Sequence, residues 1–283
     1  MKEFHTWRQK HFNRVSEYSW RIKSTEHERK IRDEFAQYAV SIKLEDATSG
    51  IPEPLYSNYP FEWDTEHYAR ILDFTKTNEV SLPTGQVRCA STEGGFLAIY
   101  RQLTSGLIYS SEADSTSYKL SSAREDALVN LIDEVQGPVL VAIFYRSEVQ
   151  DLLKRFGNRA KAFTGATSPK DRMALIDDWN ADKIPVLIAA PSAMGHGINL
   201  QKGLSRTIVW YTHTFDWAQR AQFNARLVRS GQTKIISIVD LVADAGIDMA
   251  VLESLEKKQS GEQALLEVLD IKNRFKAKVV DHA

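Results

Sequence analysis

Apolar residues change their rhythm near residue 120. Beyond that point, short continuous apolar runs alternate with stretches in which apolar residues recur every three or four positions. Val139-Leu-Val-Ala-Ile-Phe144 is the clearest run. Such runs suit strands buried on both faces of a parallel sheet. Further strands are predicted over 161–163, 185–189, 207–211 and 235–239. Between them the spacing predicts helices over 122–135, 148–156, 168–179 and 217–228. The third opens on Ser168-Pro169, an N-cap residue followed by proline in the first turn. More helix is predicted from about 248 to 272. Strands alternating with helices imply right-handed crossovers and an open parallel α/β sheet.

Upstream the pattern is irregular. Ile31, Phe35, Tyr38, Ala39 and Ile42 fall at helical spacing and predict a helix over 26–44. Residues 47–63 hold three prolines, a glycine and several aromatics, which predicts an extended connector. Helices are predicted over 66–77 and 94–104. A short strand is predicted over 80–82, stopped by Pro83 and Gly85. The organisation expected is a mostly helical arm and connector over 1–120, then an α/β lobe with terminal helices over 121–283.

Composition narrows the picture. At 283 residues, 43% hydrophobic and 26% charged, the chain can bury a sizeable core. No apolar run approaches the roughly 18 residues that cross a bilayer. Residues 1–20 are polar and aromatic, unlike the apolar core of a secretion signal. Cys89 is the single cysteine, so no internal disulfide forms. That fits a reducing cytoplasm, the host's if the chain is phage-encoded. The seven histidines show no metal-ligand spacing with Cys or Glu, and no structural zinc or other protein-held metal is expected. Net charge is -1, so any nucleic-acid binding must come from a local patch. Residues 8–32 lean basic (Arg8, Lys10, Arg14, Arg21, Lys23, Arg29, Lys30, Arg32), which reads either as a solvated helix face or as a phosphate-facing surface.

The strongest chemical signal is Gln222-Phe-Asn-Ala-Arg226-Leu-Val-Arg229-Ser-Gly231-Gln232. On a helix the two arginines, three apart, share one face. A rigidly held guanidinium pair suits charge developing on the oxygens of a transferring phosphoryl group. Taken alone, the arginines read more simply as surface residues in salt bridges. A second signal precedes them: Val186-Leu-Ile-Ala-Ala-Pro191-Ser-Ala-Met-Gly195-His-Gly197-Ile-Asn199-Leu-Gln201, a strand followed by a loop with two glycines. Glycine lets the backbone approach a ligand closely or take positive φ, although Gly-x-Gly alone also marks a simple turn.

Together these strings resemble the last two signature motifs of superfamily-two helicases and translocases. The Gln-Phe-Asn-Ala-Arg form is similar to the phage-type branch of the Swi/Snf helicases. Ala225 stands where many relatives have Gly or Asp, and Met194 where a small residue is usual. Phe144-Tyr145-Arg146, with Glu148 opening the next helix, resembles the family's strand-to-helix motif that touches the nucleic-acid backbone. The stretch from Phe163-Thr164-Gly165 to Trp179-Asn180 resembles another family motif, in which Met173, Leu175, Ile176 and Trp179 are expected to be core packing. Packing is also expected for Trp210 and Trp217. The resemblance covers roughly residues 120–245 well. Upstream, residues 7–46 look like the arm joining the two lobes of phage relatives.

The resemblance implies a RecA-like parallel sheet flanked by helices, the helicase C-terminal lobe. It implies ATP with Mg²⁺ bound between this lobe and a first one, with Arg226 and Arg229 facing the γ-phosphate. Gly195, Gly197, Asn199 and Gln222 would shape the cleft. Tyr145, Arg146, Thr164, Gly165 and Ser192 would line a DNA track through backbone contacts with little sequence specificity. The phosphate loop of such a motor needs a Gly-x-x-x-x-Gly-Lys-Ser/Thr string, and the sequence has none. It also needs an Asp-Glu pair after a buried strand. Asp133-Glu134 falls late in a predicted helix and does not fit. The first lobe is therefore expected on another polypeptide, or on the missing part of a fragment. Two other readings stay open. One is a catalytically inactive helicase-fold adaptor that binds a protein partner or nucleic acid. The other is a doubly wound enzyme with a small cofactor, such as a methyltransferase. Against it, no glycine-rich loop follows 139–146.

Overall fold

The predicted apolar runs become strands of one parallel sheet in the computed structural model, which describes residues 2–16, 19–36, 51–111, 116–195, 197–244 and 247–256. The chain divides into two units, Met1–Ser49 and Gly50–Ala283. The smaller holds helix α1 (Lys2–His11), an antiparallel hairpin of β1 (Phe12–Arg14) with β2 (Trp20–Ile22), and helix α2 (Thr25–Ala36). The expected helix over 26–44 is present as far as α2 reaches, and its remainder lies outside the described residues. Several basic residues of this unit are engaged locally. Lys30 and Arg32 pair with Glu26 and Glu28 one turn earlier, and the Arg8 guanidinium lies over the Trp20 ring.

The larger unit runs β3 (Leu55–Phe61), α3 (Thr65–Thr77), the hairpin β4 (Glu79–Ser81) and β5 (Val87–Cys89), α4 (Glu93–Leu103), and the hairpin β6 (Leu107–Tyr109) and β7 (Ser117–Lys119). Then come α5 (Ala123–Glu134), β8 (Val139–Ala142), α6 (Arg146–Phe156), β9 (Ala160–Phe163), α7 (Pro169–Asn180), β10 (Val186–Ala189), β11 (Thr207–Trp210), α8 (Trp217–Asn224), β12 (Ser237–Ala243) and α9 (Asp248–Glu256). The sheet order is β3-β12-β11-β8-β10-β9, and every pairing is parallel. Central β8 is flush with both neighbours, Val139 standing opposite Val186 and Thr207.

Alternation along the strands builds two cores. Val139, Val141, Val186, Ile188, Val209 and Leu241 face one layer, which includes Phe74, Phe96, Leu128 and Leu152 of the helices. Leu140, Ala142, Leu187, Ala189, Ile208 and Ile238 face the other, with Trp179, Phe223 and Leu227. Helices thus cover both faces, as fully apolar strands require.

Four expectations change. Leu55–Phe61, read as connector, is an edge strand in seven-residue register with β12. Its Pro60 lacks an N–H, which an edge position tolerates. Met173, expected in the core, is 69% exposed, while Trp179 is fully buried. Trp210 is buried as expected, but Trp217 stands 45% exposed at the start of α8. Finally, α8 ends at Asn224, not near Val228.

Candidate functional site

Parallel strands all point one way, so the loops that leave their carboxyl ends share one edge of the sheet. Tyr145 and Arg146 follow β8, Ser192 and the two-glycine loop follow β10, and Thr164 and Gly165 follow β9. Because β8, β10 and β9 are adjacent, these loops stand in a row. Their neighbours along the edge are about 4.8 Å apart at the strands. Arg146, Gly165 and Ser192 are exposed, while Tyr145 and Thr164 are half-buried. The Thr164 loop is braced by Arg172, whose Nε donates to the Thr167 carbonyl at 2.9 Å.

The loop after β10 is open outside and anchored inside. Gly197 has φ +89°, a conformation that favours glycine, and a Cβ there or at Gly195 would meet nothing within 4 Å. Met194 is the inward anchor, buried in the second core. That accounts for a large residue at this position. The return limb is pinned to the end of α7. Trp179 Nε1 donates to the Leu200 carbonyl at 3.0 Å, and Asn180 Nδ2 to the Asn199 carbonyl at 2.9 Å. Asn180 Oδ1 also accepts from Lys202 N at 3.1 Å.

The two arginines converge on this loop from a turn, not from a helix. After Asn224 the winding tightens: Arg226 N donates to Phe223 O, and Leu227 N to Asn224 O. The Arg226 carbonyl accepts from Leu200 N at 3.1 Å, a partner 26 residues upstream. Residues three apart still share a side in such winding. Arg226 Nη2 donates to Met194 O at 3.2 Å. Nη1 of Arg226 and Nη1 of Arg229 make long contacts to the same Ile198 carbonyl, at 3.4 and 3.5 Å.

Electrostatically this is an unbalanced place. Arg226 is only 6% exposed and its Nε has no hydrogen-bond partner. Among the described residues no carboxylate pairs with Arg226 or Arg229. Burial, and then the neighbouring Arg229, push the Arg226 pKa down. A buried cation without a counter-ion is costly. An anion placed here would relieve that cost. Asn199 belongs with the pinned return limb, its buried Oδ1 unpartnered. Gln222 is exposed on α8, and no hydrogen bond ties it to the loop.

Several supporting residues surround these, and of them only Glu148 is marked in the sequence. Buried Glu148 caps α6, its Oε2 accepting from Phe144 N at 3.0 Å and Tyr145 N at 2.8 Å, while Oε1 accepts from the Thr212 hydroxyl. Burial pushes its carboxyl up to about 7. Burial also raises the Tyr145 phenol. Arg220 holds α8 to the sheet through Asp240, at 2.7 Å. Asp240 Oδ1 lies 3.4 Å from His213 Nδ1, a ring that burial biases toward its neutral form. Arg101, on α4, donates to the His213 carbonyl at 2.8 Å. The Glu-x-x position after a strand was the one readable signal; the others depend on contacts distant in sequence.

The six-stranded parallel sheet with helices on both faces is the architecture of a RecA-like helicase C-terminal lobe. Residues 123–231 match the helicase conserved C-terminal domain family. Protein p41 of Acyrthosiphon pisum secondary endosymbiont phage 1 is 27% identical over 249 residues, which are 83% of this chain and 52% of that protein. Helicase SWR1 of Yarrowia lipolytica is 31% identical over 135 residues, 46% of this chain and 8% of that helicase. The chain therefore spans about half the phage protein and a small part of the yeast one. The C-terminal part of the Fun30 ATPase domain superposes with a TM-score of 0.59 at 16% identity, covering 82% of this chain and 98% of that one. That likeness speaks for the fold. These likenesses support the resemblance to the C-terminal lobe of Swi/Snf-type helicases.

Proposed function

We propose that this lobe is half of a DNA-dependent ATPase, and that Arg226 and Arg229 supply positive charge to the γ-phosphate of an ATP held by a first lobe. The observation that carries this reading is the buried, carboxylate-free Arg226 guanidinium beside Arg229, with Nε unpartnered. A phosphate oxygen is the kind of partner such a group lacks. The first lobe, with its phosphate loop and carboxylates, would hold ATP and Mg²⁺. Gly195, Gly197 and the Asn199 limb would form the wall of the cleft on this side, with Gln222 at its rim. Tyr145, Arg146, Thr164, Gly165 and Ser192 would contact a DNA backbone along their shared edge. Contacts of that kind position a strand without reading it, and make binding salt-dependent. Translocation needs no more than this, so strand separation does not follow.

The test is single-turnover ATP hydrolysis with and without DNA. The chain alone is expected to be inactive, because its sequence lacks a phosphate loop. Activity is expected when a first lobe carrying one is supplied. In that mixture Arg229→Ala should lower turnover by about 10³ or more while ATP binding persists. Arg229→Lys should restore little, since an ammonium lacks the planar fork. Robust hydrolysis by the isolated chain, or near-normal turnover in Arg229→Ala, would sink the assignment. Inactivity with every active first lobe tested would favour the adaptor reading.

A further inference from the structure

The geometry points to a stacking platform for an unpaired nucleobase on Phe144, backed by Arg101. This rests on the nucleic-acid reading above and adds to it a contact with bases, beyond the backbone track.

Phe144 follows β8 directly and is 46% exposed, although it sits at the mouth of the most buried strand of the sheet. The Arg101 guanidinium lies over its ring at 4.3 Å from the centroid. The same guanidinium lies 4.9 Å from the centroid of the Phe215 ring, so it is flanked by two aromatics. Tyr145 meets Phe144 edge to face, with centroids 5.1 Å apart. An exposed aromatic at a loop tip is ordinarily mobile, but this one is fixed from behind. Its N–H is held by buried Glu148 at 3.0 Å. Its cation is held by the His213 carbonyl at 2.8 Å.

Charge selects the occupant. Among the described residues no carboxylate pairs with Arg101 or with exposed Arg146, two residues along from Phe144. An aromatic surface backed by one cation and next to an exposed one fits a nucleotide, whose base stacks on Phe144 while its phosphate meets Arg146. An apolar protein partner would leave the Arg146 charge unanswered. Duplex DNA keeps its bases stacked inside, so only an unpaired base reaches the ring. The platform adjoins Tyr145 and Arg146 in the chain, so the same strand would supply both contacts.

The experiment uses the full chain at low salt and measures equilibrium binding by fluorescence anisotropy. The probes are a short oligothymidylate and an abasic oligomer with the same number of phosphates. Because charge is matched, their affinity ratio reads stacking alone. The oligothymidylate is expected to bind about tenfold more tightly. Phe144→Leu should abolish the difference while leaving abasic binding unchanged. Phe215→Leu, on the inner side of Arg101, should preserve it. A 2-aminopurine base in the strand should be quenched on binding wild type and not Phe144→Leu. Equal affinity for both probes in wild type, a comparison needing no variant, overturns the platform, and if that binding is salt-dependent the backbone track stands. Equal losses in the two Leu variants also overturn it, by assigning the effect to packing around Arg101. No binding to either probe overturns the platform and the track together.

Discussion

Arg226 Nη2 donates to the Met194 carbonyl at 3.2 Å, joining the turn after α8 to the loop after β10 across 32 residues. The same residue's carbonyl accepts from Leu200 N, so main chain and side chain both fasten the loop. Arg226 is buried, whereas Arg229 is half-buried and makes one long contact. The two arginines therefore differ in what they do for the fold. Arg226→Ala is expected to lower stability by on the order of 2 kcal/mol, leaving carbonyls unpaired and a gap where the side chain packed. Arg229→Ala should cost less than about 0.5 kcal/mol. Urea denaturation of the two variants checks this, and equal losses would contradict it. The same partition makes Arg229 the cleaner residue for kinetic tests.

Glu148 sets a pH dependence with a definite sign. Burial raises its carboxyl to about 7 in the folded chain, above an unfolded value of about 4.3. The folded state thus holds the proton more tightly. The resulting stabilisation is fully present below the unfolded pKa and is lost as pH rises through about 7. A shift of this size corresponds to on the order of 3 kcal/mol. Glu148→Gln keeps an acceptor for Phe144 N and Tyr145 N but cannot ionise. Between about pH 5 and 8, wild type should lose stability relative to Glu148→Gln, by about 2–3 kcal/mol. Buried His67 and His213, whose pKa values are lowered, act in the opposite direction. They are present in both proteins and cancel in the difference. Parallel stability curves for the two proteins would refute the assignment.

What was readable from sequence was what local pattern determines. Val139–Ala142 and Val186–Ala189 are apolar on both sides, so their burial between two helix layers follows from composition alone. The string around Arg226 and Arg229 marked the two side chains that meet at Ile198. Three failures are long-range. Leu55–Phe61 is mostly exposed and contains proline, so only pairing with β12 makes it a strand. The turn after α8 meets Leu200 through the Arg226 carbonyl, a contact that no window around residue 224 contains. Arg101 belongs to no sequence motif, and its place between Phe144 and Phe215 exists only once the sheet is assembled.

Arg220 and Asp240 make a buried pair at 2.7 Å, both less than 10% exposed. Asp240→Ala would leave the Arg220 charge buried and unpaired, at a cost of about 3–5 kcal/mol. Arg220→Leu should cost a similar amount through Asp240, which would keep only His213 nearby. The double variant should be clearly less destabilised than the sum of the two single ones, because neither charge is then stranded. Additive losses in a thermodynamic cycle would show that the pair is not the coupling element.

The last prediction concerns the pins on the return limb. Asn180 donates to the Asn199 carbonyl and accepts from Lys202 N, while the Trp179 indole donates to the Leu200 carbonyl. Three stations of the limb are thus held by two adjacent side chains at the end of α7. The limb in turn holds Arg226 through Leu200. Releasing one pin should loosen the limb without unfolding the sheet, because β10 and β11 pair with β8 independently of it. Asn180→Ala is expected to speed amide hydrogen exchange at Lys202 by about tenfold, the factor for a bond of roughly 1.4 kcal/mol, while amides of β8 keep their protection. Asn180→Asp retains the acceptor for Lys202 N and should show less of this effect. Trp179→Phe should instead lower global stability by about 1–3 kcal/mol, since it leaves the Leu200 carbonyl buried without a donor and thins the second core. Exchange at Lys202 that is the same in Asn180→Ala and wild type would mean that the limb is held by its own packing, and that the Asn180 bonds are incidental.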